Sequence, residues 1–131
     1  LASGLAFLFH AWDGKKLGMH NLMDYGRHWL DDPHTGDHVG RAAWALGAVV
    51  ADEPEREEAD SCLRLLVDMR LCLEEAVTPR EMAYTIIGLT RPAMSVLTTP
   101  LQGLLDTLTD RLCQAYSKHR REGWLWFEDS L

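Results

Sequence analysis

A chain of 131 residues that is 47% apolar and 25% charged has the make-up of one globular domain, because it holds enough apolar surface to offset the entropy of ordering. Its 20 acidic against 13 basic side chains leave a net charge of −7, which argues against a nucleic-acid partner and against an anionic membrane surface. The longest uncharged apolar run, Ala42 to Ala51, is about half of the ~20 residues that a membrane-spanning helix needs.

Leu5 to Trp12 is apolar and reads as a short helix; with no basic residue before it, it makes a poor signal peptide. Residues 13–40 form a polar connector rich in Gly, Asp and His. Arg41 to Asp52 is an Ala-rich helix with almost no polar face, so burial on most sides is expected, Trp44 included. Pro54 suits the first turn of the next helix, and Glu55, Glu57 and Glu58 suit its positive end. That helix runs to about Ala76 on a stripe of Ala59, Cys62, Leu63, Leu66, Met69 and Leu73. Thr78-Pro79-Arg80-Glu81 has the form of a capping box with Pro at the first helical position, opening a short apolar helix to about Thr90. Arg91 to Thr99 reads as a loop. Thr99-Pro100 opens a last long helix with the stripe Leu101, Leu104, Leu105, Leu108, Leu112 and Ala115 and a basic end at Lys118 to Arg121.

Near-apolar short helices thus alternate with long amphipathic ones. The expected fold class is all-α: stacked αα-hairpins, as in a toroid or solenoid, with a plain helical bundle as the alternative. No strand alternation is evident. Cys62, Cys72 and Cys113 lie in apolar patterns, which predicts buried reduced thiols in a cytoplasmic protein. The opening at Leu1 without Met and the stop after Trp-Leu-Trp-Phe-Glu-Asp suggest one partial domain, 1–131, of a longer protein.

The connector carries the functional signal. It holds four of the six histidines (His20, His28, His34, His38) and five aspartates (Asp13, Asp24, Asp31, Asp32, Asp37). Tyr25, Trp29 and Leu30 give it something to bury. Aromatic rings beside carboxylates and amides suit a sugar, whose faces stack on rings and whose hydroxyls take hydrogen bonds. Asp31, Asp32 and Asp37 equally suit turns and helix N-caps. His34 and His38 with Asp37 have the spacing of a metal pair, but Pro33 and Gly36 break the helix such a pair needs, so no metal and no cofactor is expected.

The runs Met19-His20-Asn21-Leu22-Met23-Asp24-Tyr25-Gly26-Arg27-His28-Trp29-Leu30-Asp31 and Gly40-Arg41-Ala42-Ala43-Trp44-Ala45-Leu46-Gly47, with the closing Trp124-Leu125-Trp126-Phe127-Glu128, resemble bacterial glycosyltransferase-associated proteins built as (α/α)6, six-hairpin glycosidase-like toroids. The chain departs from that pattern at Met19, Gly26, His28, Gly36 and Val39; carboxylates are missing at 26 and 36. The resemblance implies about half of a toroid and a carbohydrate cleft. It implies Asp24, Asp37 and Glu128 as catalytic candidates, and His20, Asn21, Tyr25, Arg27, Trp29, Arg41 and Trp126 as sugar contacts. Arg27 and Arg41 are alternatively staples that pair with an Asp and hold the connector on its helix. Three functions follow: a carbohydrate-active enzyme, a non-catalytic glycan-binding module that partners a glycosyltransferase, and a helical scaffold. Half a toroid leaves apolar hairpin faces unpaired, so self-association is expected.

Overall fold

A computed structural model describes residues 2–53, 55–93 and 99–120. Among the described residues the chain is mostly helical, in the order α1 (Ala2–Ala11), β1 (Trp12–Asp13), β2 (Gly18–Met19), α2 (Asp37–Asp52), α3 (Glu57–Glu74), α4 (Pro79–Ala93) and α5 (Thr99–His119). β1 and β2 form a small antiparallel pair, with Trp12 opposite Met19 and Asp13 opposite Gly18.

Four helices make the body. α2 packs on α3 and α4, and α5 packs on α3 and α4. The apolar stripes meet between them. Leu46 and Val50 of α2, Cys62, Leu66 and Met69 of α3, Leu89 of α4 and Leu101 and Leu108 of α5 are all buried. These are the positions at spacings of three and four that a 3.6-residue period aligns. The capping box at the start of α4 is present. The Glu81 carboxylate accepts the amides of Val77 and Thr78, and the Thr78 hydroxyl accepts the amide of Glu81.

α2 and α4 approach closely because their shared face is built from small residues. A Cβ on Gly47 would lie 1.8 Å from the carbonyl oxygen of Gly88, and one on Gly88 would lie 2.6 Å from the carbonyl of Ala43. A Cβ on Gly40 would lie 2.9 Å from the carbonyl of Glu81. Pro92, four residues after Gly88, has no amide hydrogen to offer the Gly88 carbonyl, whose oxygen lies against the Gly47 backbone.

Several boundaries differ from the sequence reading. α2 begins at Asp37 instead of Arg41, because the connector docks on its first turn. α3 begins at Glu57, with Arg56 at the N-cap; Pro54 lies outside the described residues. α4 runs through Pro92 to Ala93, beyond the expected end at Thr90. Trp44 is 42% exposed, not packed: α4 covers the Ala43 and Gly47 side of α2, and Trp44 projects beside that contact. Cys62 and Cys72 are buried, and burial pushes the Cys72 thiol up to about 11 and raises Cys62 as well, but Cys113 is exposed. No described helix is long and apolar enough to cross a membrane.

Two predictions follow from this packing. Gly47→Ala must push α4 away and is expected to cost at least about 2 kcal/mol in chemical denaturation, whereas Gly103→Ala, with open space around it, gains about 0.5–1 kcal/mol. Alkylation of the native protein at neutral pH is expected to label Cys113 and to spare Cys62 and Cys72, as peptide mass mapping reads directly.

Candidate functional site

The connector between β2 and α2 is an irregular hairpin. Met19 exchanges both backbone hydrogen bonds with His34, at 3.1 and 3.2 Å, and further in the Leu30 amide bonds the Leu22 carbonyl at 2.9 Å. At the tip the Asp24 amide bonds the His28 carbonyl and the Arg27 amide bonds the Asp24 carbonyl. Arg27 closes that turn at φ 64°, in the left-handed region. The hairpin is tied to α1 through His20, whose amide bonds the Ala11 carbonyl. It is tied to α2 through buried His38, whose Nε2 donates to the Met19 carbonyl at 2.9 Å.

Asp31 organises the hairpin. Its carboxylate accepts the amides of Asn21 (2.8 Å) and Leu22 (3.1 Å) and lies 3.7 Å from His20 Nδ1 and 3.4 Å from His34 Nδ1. Partial burial works to raise its pKa, but the two amides and the neighbouring imidazoles outweigh that, and the net direction is down. The backbone carbonyl of Asp31 accepts His20 Nδ1–H at 2.6 Å, which fixes the tautomer of that ring. His20 then stacks flat on Trp29, with centroids 4.6 Å apart and planes 7° apart. Trp29 also stacks with His10 and meets the edge of Phe7, which joins the hairpin to α1.

The sequence candidates in the hairpin divide accordingly. His20 and Trp29 come together as a packed aromatic stack. Asn21 meets Asp31 through its backbone amide and exposes its side chain. Asp24 folds back on His28, accepting its amide at 2.8 Å and contacting its Nδ1 at 3.1 Å; the His28 amide is the main reason its pKa falls. Tyr25 and Arg27 are exposed at the tip.

Asp37 and Arg41 lie on a second surface, along α2. Asp37 pairs with Arg80 of α4 at 3.2 Å, and Trp44 stacks with Tyr84 of α4, with centroids 5.8 Å apart and planes 19° apart. Asp37 is not the N-cap of α2; Gly36 holds that position at φ 152°, without a side-chain cap bond. Arg41 is exposed and pairs with no aspartate of the connector among the described residues, so the staple expected of an arginine falls to Arg80. Asp37, Arg41 and Trp44 thus share one face of α2 at helical spacing, beside Arg80 and Tyr84 at the same spacing on α4. Arg80 and Tyr84 were missed because nothing in a single helix's pattern shows what it will pack beside. Trp126 and Glu128 lie outside the described residues. Among the described residues no group of three His, Cys, Asp or Glu is arranged to hold a metal ion.

Comparison with protein-family models, with curated proteins and with solved structures gives no match.

His38 links pH to stability. Burial lowers its pKa, opposed by the hydrogen bond to the Met19 carbonyl, while nearby His34 lowers it further and Asp31 raises it. The unfolded chain takes up this proton at about the ordinary value of 6.5, and the folded chain resists it. The stability held by neutral His38 is therefore complete above that value and is lost as the pH falls through the folded pKa. Denaturation midpoints measured from pH 8 to pH 5 are expected to fall, and His38→Gln, which has an amide donor but no proton to gain, is expected to flatten that fall.

Proposed function

We propose that the protein binds a glycan along the surface shared by α2 and α4, with Trp44 and Tyr84 as the stacking platform and Arg41 and the Asp37–Arg80 pair as hydroxyl partners. The observation that carries this reading is Trp44, a large ring 42% exposed and held against Tyr84 in line with that ion pair. An exposed ring fixed by a second ring offers a flat apolar face at little entropic cost, and charged groups at the next turns supply hydrogen bonds. The resemblance of residues 19–47 to the glycosyltransferase-associated toroids supports the same ligand class. In this reading α2–α3 and α4–α5 are two neighbouring hairpins of a toroid, with α2 and α4 in the inner layer that faces the cleft.

The stacked rings support binding directly, since they need no reacting group. A glycosidase needs a carboxyl group whose pKa is raised so that it donates a proton at neutral pH. Asp24, one of the three catalytic candidates, is moved the other way by the amide of His28. A glycan-binding module working beside a glycosyltransferase, itself inside or outside the same protein, is the reading we carry to the test.

Calorimetric titration with mannose-, glucose- and galactose-type oligosaccharides tests the reading. One series is expected to bind, and Trp44→Ala to weaken it at least about tenfold, or ~1.4 kcal/mol, with the helical signal retained. Asp24→Ala is expected to leave affinity unchanged. Equal affinity in the Trp44→Ala protein, or no binding in any series, overturns the proposal.

A further inference from the structure

The strip along α2 and α4 is apolar in its middle and charged toward its two ends. Trp44 and Tyr84 stack in the middle, and Ile87, 44% exposed and one turn after Tyr84, continues the apolar surface. Asp37 and Arg80 pair toward one end at 3.2 Å, and Asp52 and Arg91 pair toward the other at 2.6 Å. The carboxylate of buried Glu81 is turned to the amides of Val77 and Thr78. Those charges are all answered within the protein.

Arg41 is the exception. It stands on α2 four residues after Asp37 and three before Trp44, about 4.5 Å of helix rise from the ring. It is exposed, and among the described residues no acidic side chain pairs with it. The chain as a whole has a net charge of −7, so this unanswered cation is a local feature set against the overall charge.

A guanidinium offers five N–H donors in a planar fork and accepts nothing. A neutral sugar hydroxyl answers one of those donors. A carboxylate answers two at once, through charge-assisted bonds roughly twice as strong as neutral ones. In a uronic acid the carboxylate is carried on C5 of the same pyranose ring that would lie on an aromatic face. One unit of such a ligand thus presents a ring and an anion together, as one turn of α2 presents Trp44 and Arg41.

We propose, on the basis of the glycan reading of this face, that its ligand is an acidic glycan containing uronic acid units. One pyranose ring stacks on Trp44, its carboxylate is held in the fork of Arg41, and the Asp37–Arg80 pair, already neutral, meets hydroxyls. Salt at about 0.15 M screens exposed charges beyond about 8 Å, so the negative charge of the rest of the chain is damped while the direct contact of guanidinium and carboxylate persists.

Calorimetric titration of the 131-residue chain is the test, with pairs of oligosaccharides that differ only at C6, hydroxymethyl in one member and carboxylate in the other. The probes are the glucose–glucuronate, galactose–galacturonate and mannose–mannuronate pairs. In the pair that binds, the acidic member is expected to bind at least about tenfold tighter. Methyl esterification keeps the ring and removes the charge, and it is expected to close that gap. Esterification is read on the wild-type chain and so is independent of how any variant folds. Arg41→Gln is expected to close the gap as well, and Arg41→Lys, which keeps the charge without the fork, to keep part of it. Arg64→Gln, the same loss of charge at an exposed position of α3, is expected to keep all of it. Equal affinity for the two members of the binding pair overturns this inference and leaves the glycan reading standing. A gap that survives esterification or Arg41→Gln overturns it too, as does equally tight binding of an oligoglutamate, which carries the charge without a sugar ring. Failure of every member, neutral and acidic, to bind overturns the glycan reading and this inference together.

Discussion

The structure depends on the approach of α2 to α4, and that approach depends on bare glycine backbone on both helices. With Pro at 92 the Gly88 carbonyl has no amide hydrogen four residues on to accept, and its oxygen lies against α2. Gly47 presents a bare Cα at that point, so the oxygen sits where a side chain would otherwise begin. Backbone meets backbone there, and close dispersion contact takes the place of side-chain packing. Gly40 and Ala43 continue the same face toward the N-terminus of α2. The two helices are therefore held side by side over several turns, and residues flanking the contact are brought into register. Trp44 meets Tyr84, Asp37 meets Arg80, and Asp52 meets Arg91 because the backbones between them touch.

The connector solves a different problem, which is how a polar segment keeps one shape with little core of its own. It spends its carboxylates on its own backbone. Asp13 takes the amides of Lys15 and Lys16, Asp24 takes that of His28, and Asp31 takes those of Asn21 and Leu22. Each bond satisfies an amide that an irregular hairpin would otherwise leave open, and each favours the ionised carboxylate. Turn-holding thus accounts for three of the aspartates in this stretch. Trp29 is likewise occupied, since His10 and His20 both stack with it.

What was legible in the sequence was what a single element determines. The stripes of α3 and α5 follow from period alone, and the Thr78–Glu81 capping box is complete within four residues. What was not legible needed a partner far along the chain. Trp44 sits in a helix with hardly a polar residue, and only the position of α4 decides that it lies beside the contact instead of under it. Nothing within either helix marks Gly47 or Gly88, although each is required where the other helix's backbone arrives. Arg80 and Asp37 are 43 residues apart. Asp31 reads as one turn residue among several, and only the fold of the hairpin distinguishes it as the acceptor that Asn21, Leu22, His20 and His34 all face.

The same geometry lays out the surface between the two helices. The Trp44–Tyr84 face runs along the joint of α2 and α4, bounded by an ion pair near each end. That face owes its register to the glycine contact: with Gly47 against Gly88, the rings and charges carried by the two helices come within reach of one another, and a wider approach would part Trp44 from Tyr84 and Asp37 from Arg80 together.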